Sequence, residues 1–176
     1  MTEINQWTRQ LHGLYNQAVA KYKAGERGAA TFFTTEEIAF LASIGLKPIN
    51  LYDYAEDTFS TSEPDWDTVL LIVSARRDYF LHQMHGTWTT VAVRESDLPA
   101  KNEAIEGIEW LPRIIPKAEG FLSGALPEEI MFCCGGDRRF FKTNNVHPSD
   151  FLRVIWAAKG DLKKIVAFVK SARDQA

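Results

Sequence analysis

The run Cys133-Cys134-Gly135-Gly136-Asp137-Arg138-Arg139 puts two thiols, two glycines, a carboxylate and two guanidinium groups side by side. Glycines ahead of a helix allow unusual backbone angles, and the exposed amides there can hold an anion. Arg138 or Arg139 would add a charged fork suited to carboxylate or phosphate. Electropositive surroundings favour the thiolate, which makes a nearby thiol a nucleophile or redox sensor. Cys134 adjoins the glycines and is the candidate reactive residue. The same residues also read more simply, as a tight turn after two small buried side chains. Asp137 would then be the N-cap, and the arginines would be paired outside. The glycine spacing matches neither the phosphate-loop nor the dinucleotide fingerprint.

A second set is Asp78, His82 and His85, spaced by four and three so that all face one side of a helix. That suits metal ligands, although no glutamate stands between the histidines as in zinc proteases. A further ligand would have to come from Asp57, Glu56, His12 or His147. Equally, two histidines suit a helix C-terminus, with Asp78 paired to Arg77 or a lysine. Arg76 and Arg77 project about 100° apart on a helix, so at most one faces inward. Asp53, Glu56 and Asp57 are its expected partners, in a structural rather than ligand-recognising pair. No glycine-flanked serine elbow is present. Trp7, Trp66, Trp88, Trp110 and Trp156 are dispersed, as core or interface anchors are, and form no base-stacking platform.

These side chains need elements to hold them, and apolar periodicity supplies those. Ile4, Trp7, Leu11, Leu14, Tyr15, Ala18 and Tyr22 recur at helical steps across residues 3–24, and Gly25 and Gly28 end that helix. Thr34-Thr35-Glu36-Glu37 predicts a capping box ahead of Ile38, Phe40, Leu41 and Ile44. Pro48 opens a third helix with Leu51, Tyr52, Tyr54 and Phe59. Ser62-Glu63-Pro64-Asp65 opens a fourth, whose residues 69–73 are apolar on every side and predict a central helix. Residues 87–93 carry β-branched side chains with partial alternation and predict a short strand. Residues 94–106 are polar, contain Pro99 and read as linker.

Further on, Ile108, Trp110, Leu111, Ile114, Ile115, Ala118, Phe121 and Leu122 predict a helix that starts or bends at Pro112. Residues 128–134 suit strand or helix. A brief helix through 138–141 follows, then one capped by His147-Pro148-Ser149-Asp150. A last helix starts at Gly160-Asp161 and carries Leu162, Ile165, Val166 and Val169. The expected fold is mainly α, with about seven helices in two packed sub-bundles and at most a short β-strand pair near the middle. Residues 1–86 would form the N-terminal sub-bundle, 87–106 a linker and 107–176 the C-terminal helical part.

Composition removes several function classes. A chain of 176 residues that is 45% hydrophobic can bury a sufficient core without disulfide or metal, so the sequence requires no cofactor. Twenty basic against 23 acidic residues build no broad basic surface, so nucleic acid is not an expected partner. Residues 1–5 lack a basic region followed by an apolar stretch, and the apolar run 69–73 is too short for a bilayer. Adjacent cysteines cannot staple distant segments. A cytoplasmic protein with no membrane partner is expected.

From Gly107 onward, Ile108-Glu109-Trp110-Leu111-Pro112-Arg113, then Lys117-Ala118, the four residues from Cys134 to Asp137 before Arg138, and residues 151–169 around Gly160-Asp161 carry a resemblance. This part resembles a bacterial family of unknown function, domain-of-unknown-function family 5069. Residues 31–46 and Arg76-Arg77-Asp78-Tyr79-Phe80 are similar to an extension in longer members. The family implies no reaction, cofactor or catalytic residue, so it transfers no role to any position.

The expected function is that of a binding or interaction protein recognising a small anionic ligand at Gly135, Gly136, Asp137, Arg138 and Arg139. One alternative is an enzyme using Cys134, or a metal at Asp78, His82 and His85. Another is a self-associating structural protein, a homo-oligomer built through exposed aromatic residues.

Overall fold

Local capping chemistry sets four of the helix starts. Thr34, Asp65, His147 and Asp161 each accept a hydrogen bond from an amide in the first turn of a helix, satisfying donors that the helix itself leaves open. At Thr34 the bond is reciprocal, because Glu37 accepts from the Thr34 amide at 2.8 Å. Pro48 and Pro148 occupy first-turn positions where a missing N–H costs nothing.

The computed structural model describes residues 6–175. The helices are Gln6–Lys23 (α1), Ala29–Phe32 (α2), Thr35–Ser43 (α3), Pro48–Thr61 (α4) and Trp66–His82 (α5). After them come a hairpin of Ala104–Ile105 (β1) and Ile108–Glu109 (β2), then Leu111–Ser123 (α6), Gly135–Thr143 (α7), Pro148–Ala158 (α8) and Leu162–Arg173 (α9). The chain is therefore mainly helical, with nine helices among the described residues instead of about seven. The difference lies chiefly in α2, a single turn too short for periodicity to reveal. The reading of residues 3–5 as helix, with Ile4, lies outside the described residues.

No strand forms at 87–93. The segment has no regular secondary structure, the Val93 amide donates to the Ala125 carbonyl (2.9 Å), and no ladder follows among the described residues. The antiparallel pair forms later, with Ala104 opposite Glu109 and Ile105 opposite Ile108. Its two-residue turn, Glu106-Gly107, has φ of 48° and 76°, the double left-handed geometry of a tight hairpin.

Helix α5 is less enclosed than its apolar run suggests. Val69, Ile72, Val73, Ala75, Arg76 and Phe80 are buried, but Leu71 is 41% exposed. The buried face packs on α6 and α8, while α1 packs on α4. One cluster of buried side chains runs from Leu11 through Tyr54, Val73 and Phe132 to Val169, so the two halves of the chain share a core.

Polar ties lock the end of α6. Arg76 donates to the Leu122 carbonyl and Lys47 to the Leu126 carbonyl, both at 2.6 Å. These cations sit at the negative end of the helix dipole. Gly124 closes the helix at φ 73°, where a Cβ would lie 2.8 Å from the Arg76 guanidinium. Among the described residues no helix is long and apolar enough to cross a membrane.

Candidate functional site

The segment between α6 and α7 is neither strand nor helix but a series of turns, with Cys133 at φ 68°. Helix α7 starts at Gly135, so the glycines lie inside it and Cys134 is the N-cap, without a side-chain cap bond. Asp137 is therefore not the N-cap. It is fully buried, and its carboxylate accepts from the Cys133 amide (2.9 Å), the Trp110 indole (2.9 Å) and Lys117 (2.5 Å). A carboxylate is tolerated in the interior only with such a complete donor set. Lys117, itself buried, also lies 3.4 Å from the Cys134 sulfur. Cys133 is fully buried, and burial pushes its thiol well above the ordinary range.

The two arginines of the motif part company. Arg138 turns back to Asp57 (2.6 Å), the Cys133 carbonyl (2.8 Å) and Glu63 (3.6 Å), so its charge is already matched. Arg139 is exposed and has no ion pair or hydrogen bond among the described residues. It lines a cleft of about 580 Å³ between the β1–β2 hairpin, α7 and the end of α9, together with Lys101, Glu109, Trp110, Gly136 and Arg173.

Gly136 has a steric reason. A Cβ there would lie 2.6 Å from the Trp110 ring, so only glycine lets the indole rest against the start of α7. At the far wall Arg173 donates through Nε to Asn144 (2.5 Å), and Lys170 pairs with Glu106 (2.6 Å), tying α9 to the hairpin turn. Lys101, Arg139 and Arg173 have no carboxylate partner among the described residues, and Glu109 is the lone carboxylate of the lining.

Two other cavities differ in kind. A groove of about 710 Å³ sets Glu63, Asp65 and Asp150 against Arg138, Lys142 and His147. Those charges are occupied: Glu63 holds Lys142 and Arg138, Asp65 caps Thr68, and Asp150 holds Arg153. A third hollow, of about 560 Å³, lies against Tyr79 and Trp156 and is largely apolar.

The histidine set does not assemble. α5 stops at His82, and His85 lies in the following turn at φ 51°, so the helical phase that would align it is lost. Asp78 lies 3.8 Å from Arg77. Of the further ligands considered, His12 stacks on Trp66 at 4.2 Å, His147 caps α8 and Asp57 holds Arg138. Among the described residues no three His, Cys, Asp or Glu side chains gather as metal ligands.

Arg76 is the inward member of its pair, as helical geometry requires. It pairs with no carboxylate among the described residues, and two of the expected partners are engaged elsewhere: Asp57 holds Arg138 and Glu56 accepts from the Tyr22 hydroxyl. Its guanidinium lies between Phe80 (5.2 Å) and Trp88 (5.3 Å), and burial lowers its pKa to about 10.

Gly136 and Arg139 were visible in the sequence as a candidate site. Lys101, Glu109, Trp110, Lys117 and Arg173 were not, since no local spacing links them to α7. Comparison of the chain with protein-family models, with curated proteins and with solved structures gave no match.

Proposed function

We propose that the protein binds a small anionic ligand in the cleft between the β1–β2 hairpin, α7 and the end of α9. The observation that carries this is the uncompensated charge of Lys101, Arg139 and Arg173 around one concave site. Cations with carboxylate partners, such as Arg113 with Glu95 or Arg138 with Asp57, have their fields largely cancelled. Cations gathered in a cleft without partners attract and orient an anion. The cleft volume lies within the range of small-molecule sites, roughly 300–1,000 Å³.

Trp110 and Gly136 of the cleft wall also belong to the stretch that resembles the family of unknown function. Kinship with that family, carried here as a proposal, would give its members the same cleft wall. Cys134 is not among the lining residues, so binding needs no thiol chemistry.

Isothermal titration with inorganic pyrophosphate tests the reading. Saturable binding should weaken as salt rises, and Arg139→Ala should weaken it about tenfold or more, the range expected when a charged hydrogen bond of about 1.5–3 kcal/mol is lost. Titration heats indistinguishable from buffer dilution, or affinity unchanged by Arg139→Ala, would end it.

A further inference from the structure

We infer that the ligand is a phosphate monoester with an ammonium group a short carbon chain away; this rests on the anion-binding reading above. The lining holds three cationic side chains and one carboxylate, a surplus of two positive charges. A phosphate monoester carries about −1.5 to −2 at neutral pH, whereas a diester or simple carboxylate carries about −1. Arg139 and Arg173 present guanidinium forks, which fit the oxygens of a phosphoryl group. Arg173 has committed only its Nε, to neutral Asn144.

Glu109 supplies the second half of the argument. It is exposed on β2, lines the same cleft as the three cations, and pairs with none of them among the described residues. A site selecting for anions alone gains nothing from a carboxylate in its wall. The carboxylate has a use when the ligand also carries a positive group that reaches it. The cleft is far larger than a phosphate ion, and Trp110 and Phe140 give it an apolar wall against which a short carbon chain can lie.

The test is titration of the full chain with inorganic phosphate, ethyl phosphate and 2-aminoethyl phosphate. All three should bind, with 2-aminoethyl phosphate about fivefold tighter than ethyl phosphate, the factor of an ion pair worth about 1 kcal/mol at a partly exposed site. Glu109→Gln should abolish that preference while ethyl phosphate binds at least as tightly, since the wall loses its one negative charge; Glu109 makes no side-chain bond among the described residues, so the fold should survive, as circular dichroism would verify.

Equal affinity for the two esters in the wild type, with phosphate still bound, overturns this inference and leaves the anion-binding reading standing. Failure of all three to bind overturns this inference, and overturns the anion-binding reading as well if pyrophosphate also fails to bind. Sedimentation with vesicles of phosphatidylethanolamine and phosphatidylcholine should leave the protein in the supernatant. Co-sedimentation that Glu109→Gln removes would assign the cleft to a lipid headgroup and overturn the free monoester.

Discussion

Asp137 supports the cleft from below, since it holds the Trp110 indole that forms one wall. It is fully buried, and its ion-pair partner Lys117 is 4% exposed. Taking the charge from one member of a buried pair strands the other in a medium that solvates it poorly, at a cost of about 3–5 kcal/mol. Asp137→Asn should accordingly lower the unfolding free energy in urea by about 3 kcal/mol or more; a loss under about 1 kcal/mol would mean that Lys117 reaches water without disturbing the fold. Asp53 behaves in the opposite sense. Burial first, then Glu56, Asp57 and Glu128, raises its carboxyl from the ordinary 3.8 to about 7. The folded state thus keeps a proton that the unfolded chain releases, so stability falls as pH rises from about 4 to about 7, and the penalty is complete above that window. Asp53→Asn should match the wild type near pH 4 and exceed it by about 1–3 kcal/mol at about pH 8, the range left when a shift of this size is discounted for partial exposure. Thermal melts at the two pH values decide the matter, and an unchanged difference between them would show that Asp53 titrates normally.

At the scale of elements, what the sequence made legible was local. Thr34, Asp65, His147 and Asp161 sit within three residues of the amides they cap, so side-chain type and spacing were enough to find them. A short strand pair near the middle was expected, but its position was not legible, because each strand is only two residues long, inside a polar stretch that offers no alternation to read. The expected strand at 87–93 failed for the converse reason. β-branched residues favour a strand only where a neighbour completes the ladder, and here Val93 donates to Ala125 with no ladder following among the described residues. The motif on α7 was half legible: Gly136 and Arg139 could be named, but Asp137 looked like an N-cap. Trp110 and Lys117, which draw it inward, come from the start and middle of another helix. Lys101, Glu109 and Arg173 likewise reach the cleft through the packing of the hairpin and α9 on α7, which no window of sequence contains.

Across the whole molecule, the ties between the two halves decide how it folds. Asp57 of α4 pairs with Arg138 of α7, the Tyr54 hydroxyl donates to the Phe132 carbonyl, and Lys47 and Arg76 hold the end of α6. Arg76 makes this dependence sharp. It is 1% exposed and makes no ion pair among the described residues, so the Leu122 carbonyl and the Phe80 and Trp88 rings must offset its desolvation. Residues 1–86 alone would lack both Leu122 and Trp88, and the face of α5 that packs on α6 and α8 would be bare. A separate N-terminal bundle would then expose a wide apolar face and hold a cation half-buried without its acceptor. The chain should therefore unfold in one cooperative step, with helical circular dichroism and tryptophan fluorescence giving coincident transitions. A fragment of residues 1–86 should lack near-ultraviolet dichroism and cooperative melting. Two separated transitions in the full chain, or a monomeric fragment that melts cooperatively, would show instead that the shared core is an interface between independently stable halves.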